Sequence, residues 1–208
     1  FAQRYASSIL SLEKLTPHQA DKLDECLHSR ESISLKACAG AGKTFVALSV
    51  MLEVLQSRST RVMFVARNRP LAMSVAKWVA KRCGGSTKRN RVLSQLHLLF
   101  SPFDEGPHEV ALSGTTLVTT PATSGMHYDL QVVDEAHHIY GHEGLRLVVD
   151  ACDCSRRILL SDISQGLVSD VRFPTGLREV QLIEVVRSSQ RVVAGATQFQ
   201  LRGGGEKP

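Results

Sequence analysis

The stretch Ala37-Cys38-Ala39-Gly40-Ala41-Gly42-Lys43-Thr44 decides the fold of this chain. It follows the apolar run Ile33-Ser34-Leu35 and opens another, Phe45-Val46-Ala47-Leu48. Read as strand, glycine loop and helix, it forms a phosphate cradle. Gly40 and Gly42 allow the tight turn that brings backbone N–H groups up to a polyphosphate. The first turn of the helix adds free N–H groups and the positive end of its dipole. Lys43 suits the β- and γ-phosphates, and the Thr44 hydroxyl suits Mg²⁺. The usual pattern has a glycine where Ala37 stands, so the strict spelling is missed by one methyl group.

Working outward, Thr16-Pro17-His18-Gln19 reads as a helix start. Thr16 is the N-cap, Pro17 takes the first helical position and Gln19 closes a capping box. That helix runs to about Ser29, and a strand over 33–37 leads into the glycine loop. The helix after the loop continues to about Gln56. Arg61-Val62-Met63-Phe64-Val65-Ala66 is a nearly continuous apolar strand, as in a parallel sheet covered on both faces. Arg69-Pro70 starts another helix, which Gly84-Gly85 ends. Residues 92–100 read as helical and 101–109 as a polar loop.

Strands are expected at 117–120, 130–133, 157–160 and 179–185, with helices near 143–151 and 188–200. Strands alternating with helices indicate an α/β fold: a doubly wound, mainly parallel sheet with helices on both faces. Ligands in such sheets bind beyond the carboxyl ends of the strands. Three polar sets fall there: 38–44, 134–135 and 161–165.

The 208 residues carry a net charge of +5, and 43% of them are hydrophobic. No apolar run approaches the roughly 18 residues of a membrane span. The five cysteines show no paired metal-ligand spacing, which suggests free thiols in a reducing, intracellular compartment. Between Glu53 and Asp104 there is no acidic residue, but there are ten basic ones, so the rest of the chain carries −5. A local field of that sign fits a polyanionic partner as well as it fits an ordinary solvated surface.

Leu130-Gln131-Val132-Val133-Asp134-Glu135 feeds two carboxylates from the end of an apolar strand. A phosphate-bound Mg²⁺ needs a carboxylate close by, and Asp134 fits that role. Hydrolysis needs a base for the attacking water, and Glu135 fits that one. Alone, Asp-Glu is an acidic turn; paired with the phosphate loop in this chain order, it specifies nucleotide hydrolysis.

Together these pieces resemble the first RecA-like domain of superfamily 1 helicases, which are P-loop NTPases. Residues 39–44 resemble motif I and Asp134-Glu135-Ala136-His137 resembles motif II, although that spelling is commoner in superfamily 2. Leu159-Leu160-Ser161-Asp162-Ile163-Ser164-Gln165 is similar to the superfamily 1 motif III, with Ser161 in place of the usual glycine. The resemblance implies ATP as substrate, bound by Gly40, Ala41, Gly42, Lys43 and Thr44, with Mg²⁺ held by Thr44 and Asp134.

Lys43, Glu135, Gln165 and Arg187 are the implied catalytic residues, Gln165 at the γ-phosphate or attacking water and Arg187 as an arginine finger. Leu15-Thr16-Pro17-His18-Gln19 resembles the upstream motif whose glutamine reads adenine, though the capping box also accounts for Gln19. Arg67, Asn68 and Arg69 stand where motif Ia meets single-stranded DNA or RNA. The implied division is an ATPase domain over 1–177 and the start of a second RecA-like domain over 178–208, the remainder of which is missing.

Two rival readings stand beside a translocase or helicase. One is a helicase-like ATPase acting as a regulatory or defence switch without unwinding, and the other is a nucleotide kinase. His137, His138, His142 and Glu143 invite a transition-metal reading, but the motif II spelling already accounts for His137. Trp78 sits among apolar helix positions and reads as core. Tyr128 is open to either stacking on a base or packing.

Overall fold

The computed structural model describes residues 15–38, 40–162 and 171–184. In chain order the elements are α1 (Pro17–His28), β1 (Ile33–Ala37), α2 (Lys43–Val54), β2 (Val62–Ala66), α3 (Arg69–Arg82), α4 (Ser86–Gln95), β3 (Leu96–Phe100), β4 (His108–Ser113), β5 (Thr116–Pro121), β6 (Leu130–Val133), α5 (Ala136–Tyr140), α6 (Glu143–Asp150), β7 (Arg157–Asp162) and β8 (Arg178–Leu182). The strands form one eight-stranded sheet in the order β5-β4-β3-β2-β6-β7-β1-β8. From β3 to β8 neighbours are parallel; β4 and β5 extend the sheet as an antiparallel hairpin. Among the described residues no helix is long and apolar enough to cross a membrane.

Alternation along each strand sends side chains to two separate cores. Val62, Phe64 and Ala66 of β2, with Ile158 and Leu160 of β7, face one side, where Phe45, Val46, Val75 and Trp78 cover them. Met63, Val65 and Leu159 face the other side, under Ala136, Ile139, Tyr140 and Val149. The central strands are therefore buried on both faces, which explains why they read as nearly continuous apolar runs. Trp78 is 1% exposed and meets the Phe45 ring edge-on, with centroids 6.1 Å apart; the Arg82 guanidinium covers its ring. It is a core residue, as expected. Tyr128 is also core: it is buried, and its hydroxyl meets His97 Nδ1 at 3.0 Å.

Two sequence readings change. Residues 96–100 are strand β3 rather than the end of a helix. The loop expected over 101–109 gives way to β4 at His108. Residues 178–182, expected to open a second domain, form β8 and pair with β1 at the edge of this sheet. The helix expected over 188–200 lies outside the described residues.

Candidate active site

Parallel register brings the functional strand ends together. Ala37 at the end of β1 pairs with Asp162 at the end of β7, and Leu159 of β7 pairs with Val133, the last residue of β6. The phosphate loop, Asp134 and Asp162 thus share the carboxyl edge of three adjacent strands. The chain leaves β1 and returns three places away in β2, so the loop sits at a reversal of strand order, where α/β sheets bind ligands.

Gly40 and Gly42 have φ of +84° and +88°, and Gly42 is the N-cap of α2. A side chain would strain both positions. Phe45 to Met51 of α2 are almost all buried, so the helix is anchored in the core while its N-terminus faces the loop. Lys43 Nζ donates to Ala37 O at 3.2 Å and lies 3.6 Å from Asp162 Oδ2. Asp162 belongs to the motif III resemblance, but its pairing with Lys43 was not foreseen.

Thr44 is buried, and its Oγ1 donates to Asp134 Oδ1 at 3.4 Å. Asp134 Oδ2 is buried without a hydrogen-bond partner among the described residues. Burial, and then the neighbouring Glu135 carboxylate, push the Asp134 carboxyl up to about 7, against the pull of Lys43 and Thr44. A buried carboxylate oxygen lacking a donor is costly. A hard cation with oxygen ligands removes that cost, so Thr44 and Asp134 fit Mg²⁺.

Glu135 has φ +50° and ψ 44°, a left-handed conformation that costs a non-glycine residue roughly 1–3 kcal/mol. This bend turns the chain out of β6 and into α5. The Glu135 side chain stays 29% exposed, and its Oε2 lies 3.4 Å from His137 Nε2. Ligand atoms of Glu135, His137 and His138 all lie within 4.8 Å of one another. His142 and Glu143, the other residues of the metal reading, are not part of that group.

Gln19 is 1% exposed and lies against the loop. Its Nε2 donates to Ala41 O at 2.9 Å and its Oε1 accepts from Thr16 N at 3.1 Å, completing the capping box. Both ends of the amide that the resemblance gives to adenine are engaged within the protein.

Arg67 is exposed at the end of β2, and its charge helps to lower the pKa of His138, after burial and His137. Asn68 accepts from Leu71 N at 3.0 Å as the side-chain N-cap of α3. Arg69 Nη2 donates to Thr119 Oγ1 at 3.4 Å. Gln165 and Arg187 lie outside the described residues.

Residues 12–162 match the model of the family described as type III restriction enzyme, res subunit (ResIII). The chain belongs to this family. No curated protein matches the chain. Among solved structures it is similar to the SWI2/SNF2 ATPase core of Sulfolobus solfataricus in complex with double-stranded DNA, at 13% identity and a TM-score of 0.53. That likeness covers 74% of this chain and 34% of the other, so the ResIII chain spans about a third of its relative.

Weaker likenesses, on which nothing rests, are to the Pif1 helicase of Candida albicans and to the DUF1998 helicase MrfA bound to DNA. The first has a TM-score of 0.45 and 14% identity, covering 91% of this chain and 44% of that one. The second has a TM-score of 0.47 and 13% identity, covering 88% and 29%. The sheet and the family together identify a RecA-like P-loop NTPase fold, the helicase-like core expected from the phosphate loop.

Proposed function

We propose that this chain is the ATP-hydrolysing core of a nucleic-acid translocase or helicase of superfamily 1. The observation that carries this reading is the convergence of Lys43, Thr44, Asp134 and Asp162 on one edge of the sheet, with Glu135 beside them.

In this reading the triphosphate lies against the amides of 40–44. Lys43 leaves the Ala37 carbonyl and the Asp162 carboxylate to neutralise the β- and γ-phosphates, an exchange of one carbonyl and one carboxylate for more highly charged oxygens. When bound, Mg²⁺ supplies further charge neutralisation there, held by Thr44 and Asp134. Glu135 accepts the proton of the attacking water. As the water oxygen bonds to the γ-phosphorus, the bond to the bridging oxygen of ADP breaks. The Glu135 side chain is partly exposed while Asp134 is buried, so one acid is open to water for proton transfer and the other is placed for ligation.

Assignment to superfamily 1 rests on Ser161-Asp162-Ile163-Ser164-Gln165. By that resemblance Gln165 senses the γ-phosphate and Arg187 approaches it as a finger. A second RecA-like domain beyond Leu182 would close over the nucleotide. Single-stranded DNA or RNA would cross the ends of β2 and α3, with Arg67 and Arg69 on its phosphates. Asn68, spent as a cap, would take part through its backbone. Titration of a fluorescent ATP analogue into the intact protein, with and without Mg²⁺, tests the nucleotide site. Mg²⁺-dependent binding that Lys43→Ala abolishes supports the reading, whereas equal binding by both proteins removes it.

A further inference from the structure

Beside the sheet, α3, the start of α4 and the β4–β5 hairpin enclose an open groove of about 720 Å³. Lys77, Lys81 and Arg89 line it, joined by the hydroxyl-bearing Thr115 and Thr116. Among the described residues no carboxylate lines it. Arg69, Met73, Lys77 and Lys81 recur every four residues and so form one stripe along α3. From Arg69 to Lys81 that stripe runs about 18 Å. At its upper end Arg69 bonds Thr119 of β5, which joins the groove to the strand-end face that carries Arg67.

We infer that a nucleic-acid strand leaves the strand-end face and continues down this flank, its phosphates held by Lys77, Lys81 and Arg89. Arg89 carries the most specific sign of a ligand: its Nε is buried with no hydrogen-bond partner among the described residues. A buried guanidinium N–H without an acceptor is costly, and a phosphate oxygen in the groove relieves it. Thr115 and Thr116 add hydroxyl donors of the kind that position a phosphate backbone.

Met73, Leu112 and Leu117 give the groove an aliphatic side, and among the described residues no aromatic ring lines it. Bases therefore have no stacking platform, and the contact is to the backbone, independent of sequence. An acidic protein segment would meet the same cations, but it would not account for the continuity with Arg67 and Arg69.

This inference rests on the proposed nucleic-acid function, and one experiment separates the two. Binding of labelled single-stranded oligonucleotides, short and long, is measured against salt for the intact protein. The comparison is a Lys77→Gln/Lys81→Gln/Arg89→Gln variant whose melting temperature is checked. Three lost phosphate contacts lower the log–log salt slope by about 2. The variant also loses the affinity that wild type gains from the longer strand, while its binding of ATP is unchanged. A Lys77→Arg/Lys81→Arg protein keeps both slope and length dependence. Wild-type binding with an unchanged slope in the triple variant overturns the flank track and leaves the groove to an acidic partner. No binding by wild type overturns the proposed function itself.

Discussion

The Nε2 atom of Gln19 lies 2.4 Å from where a β-carbon on Gly42 would stand. The start of α1 thus braces the phosphate loop from behind, and its hydrogen bond to Ala41 O fixes the distance. Gly42→Ala forces a left-handed alanine, worth roughly 1–2 kcal/mol, and also displaces Gln19. Melting and ATP-analogue binding should both weaken. Because Gln19→Ala removes the obstacle, the double variant should lose less than the sum of the two singles. Strict additivity in that cycle would show that the two residues do not bear on each other.

Glu135→Gln should retain nucleotide and stop turning it over. The amide keeps the shape of the side chain but accepts no proton, so turnover should fall by roughly 10²-fold or more. Parallel titration and steady-state rates check this. Loss of binding along with turnover would make Glu135 a structural residue or a ligand instead.

His97 should make the fold sensitive to acid. It is buried in β3, and burial holds its pKa below the usual histidine value. The neutral ring is favoured in the folded state, so its contribution is complete above the ordinary histidine pKa of about 6.5. The contribution is lost as pH falls through the lower folded value, because the unfolded chain then binds the proton more readily. His97→Gln can keep a hydrogen bond to Tyr128 without titrating. Its melting temperature should fall less than that of wild type between neutral and mildly acidic pH; identical slopes would refute this.

Arg67→Ala/Arg69→Ala should weaken single-strand binding and reduce the log–log salt slope by about 1.4, as two phosphate contacts are lost. Binding isotherms across a salt series give the slope directly. A slope that does not move would mark the ends of β2 and α3 as ordinary solvated surface.

The strand ends that meet at the candidate site were legible from their residue types: glycines that must turn, a lysine, a threonine and paired carboxylates. The capping box at Thr16 and Gln19 was equally legible, being a local pattern. β3 was not, because Leu96-His97-Leu98-Leu99-Phe100 abuts α4 without a turn residue, and a short apolar run does not distinguish strand from helix. β4 was hidden because its outer half is exposed and lacks a strong apolar run. The cap at Asn68 could have been read from Asn-Arg-Pro, an N-cap residue with proline in the first turn. The meeting of Lys43 with Asp162 could not: parallel pairing of β1 with β7 creates it, and no local pattern encodes that register.

The most direct test of the central claim is the rate of ATP hydrolysis by the intact protein, with and without single-stranded DNA or RNA, beside Lys43→Ala. Wild type should hydrolyse ATP and be stimulated by the strand, and Lys43→Ala should do neither while keeping its melting temperature. Unchanged hydrolysis in a folded Lys43→Ala protein would contradict the site, and hydrolysis indifferent to any strand would contradict a nucleic-acid motor.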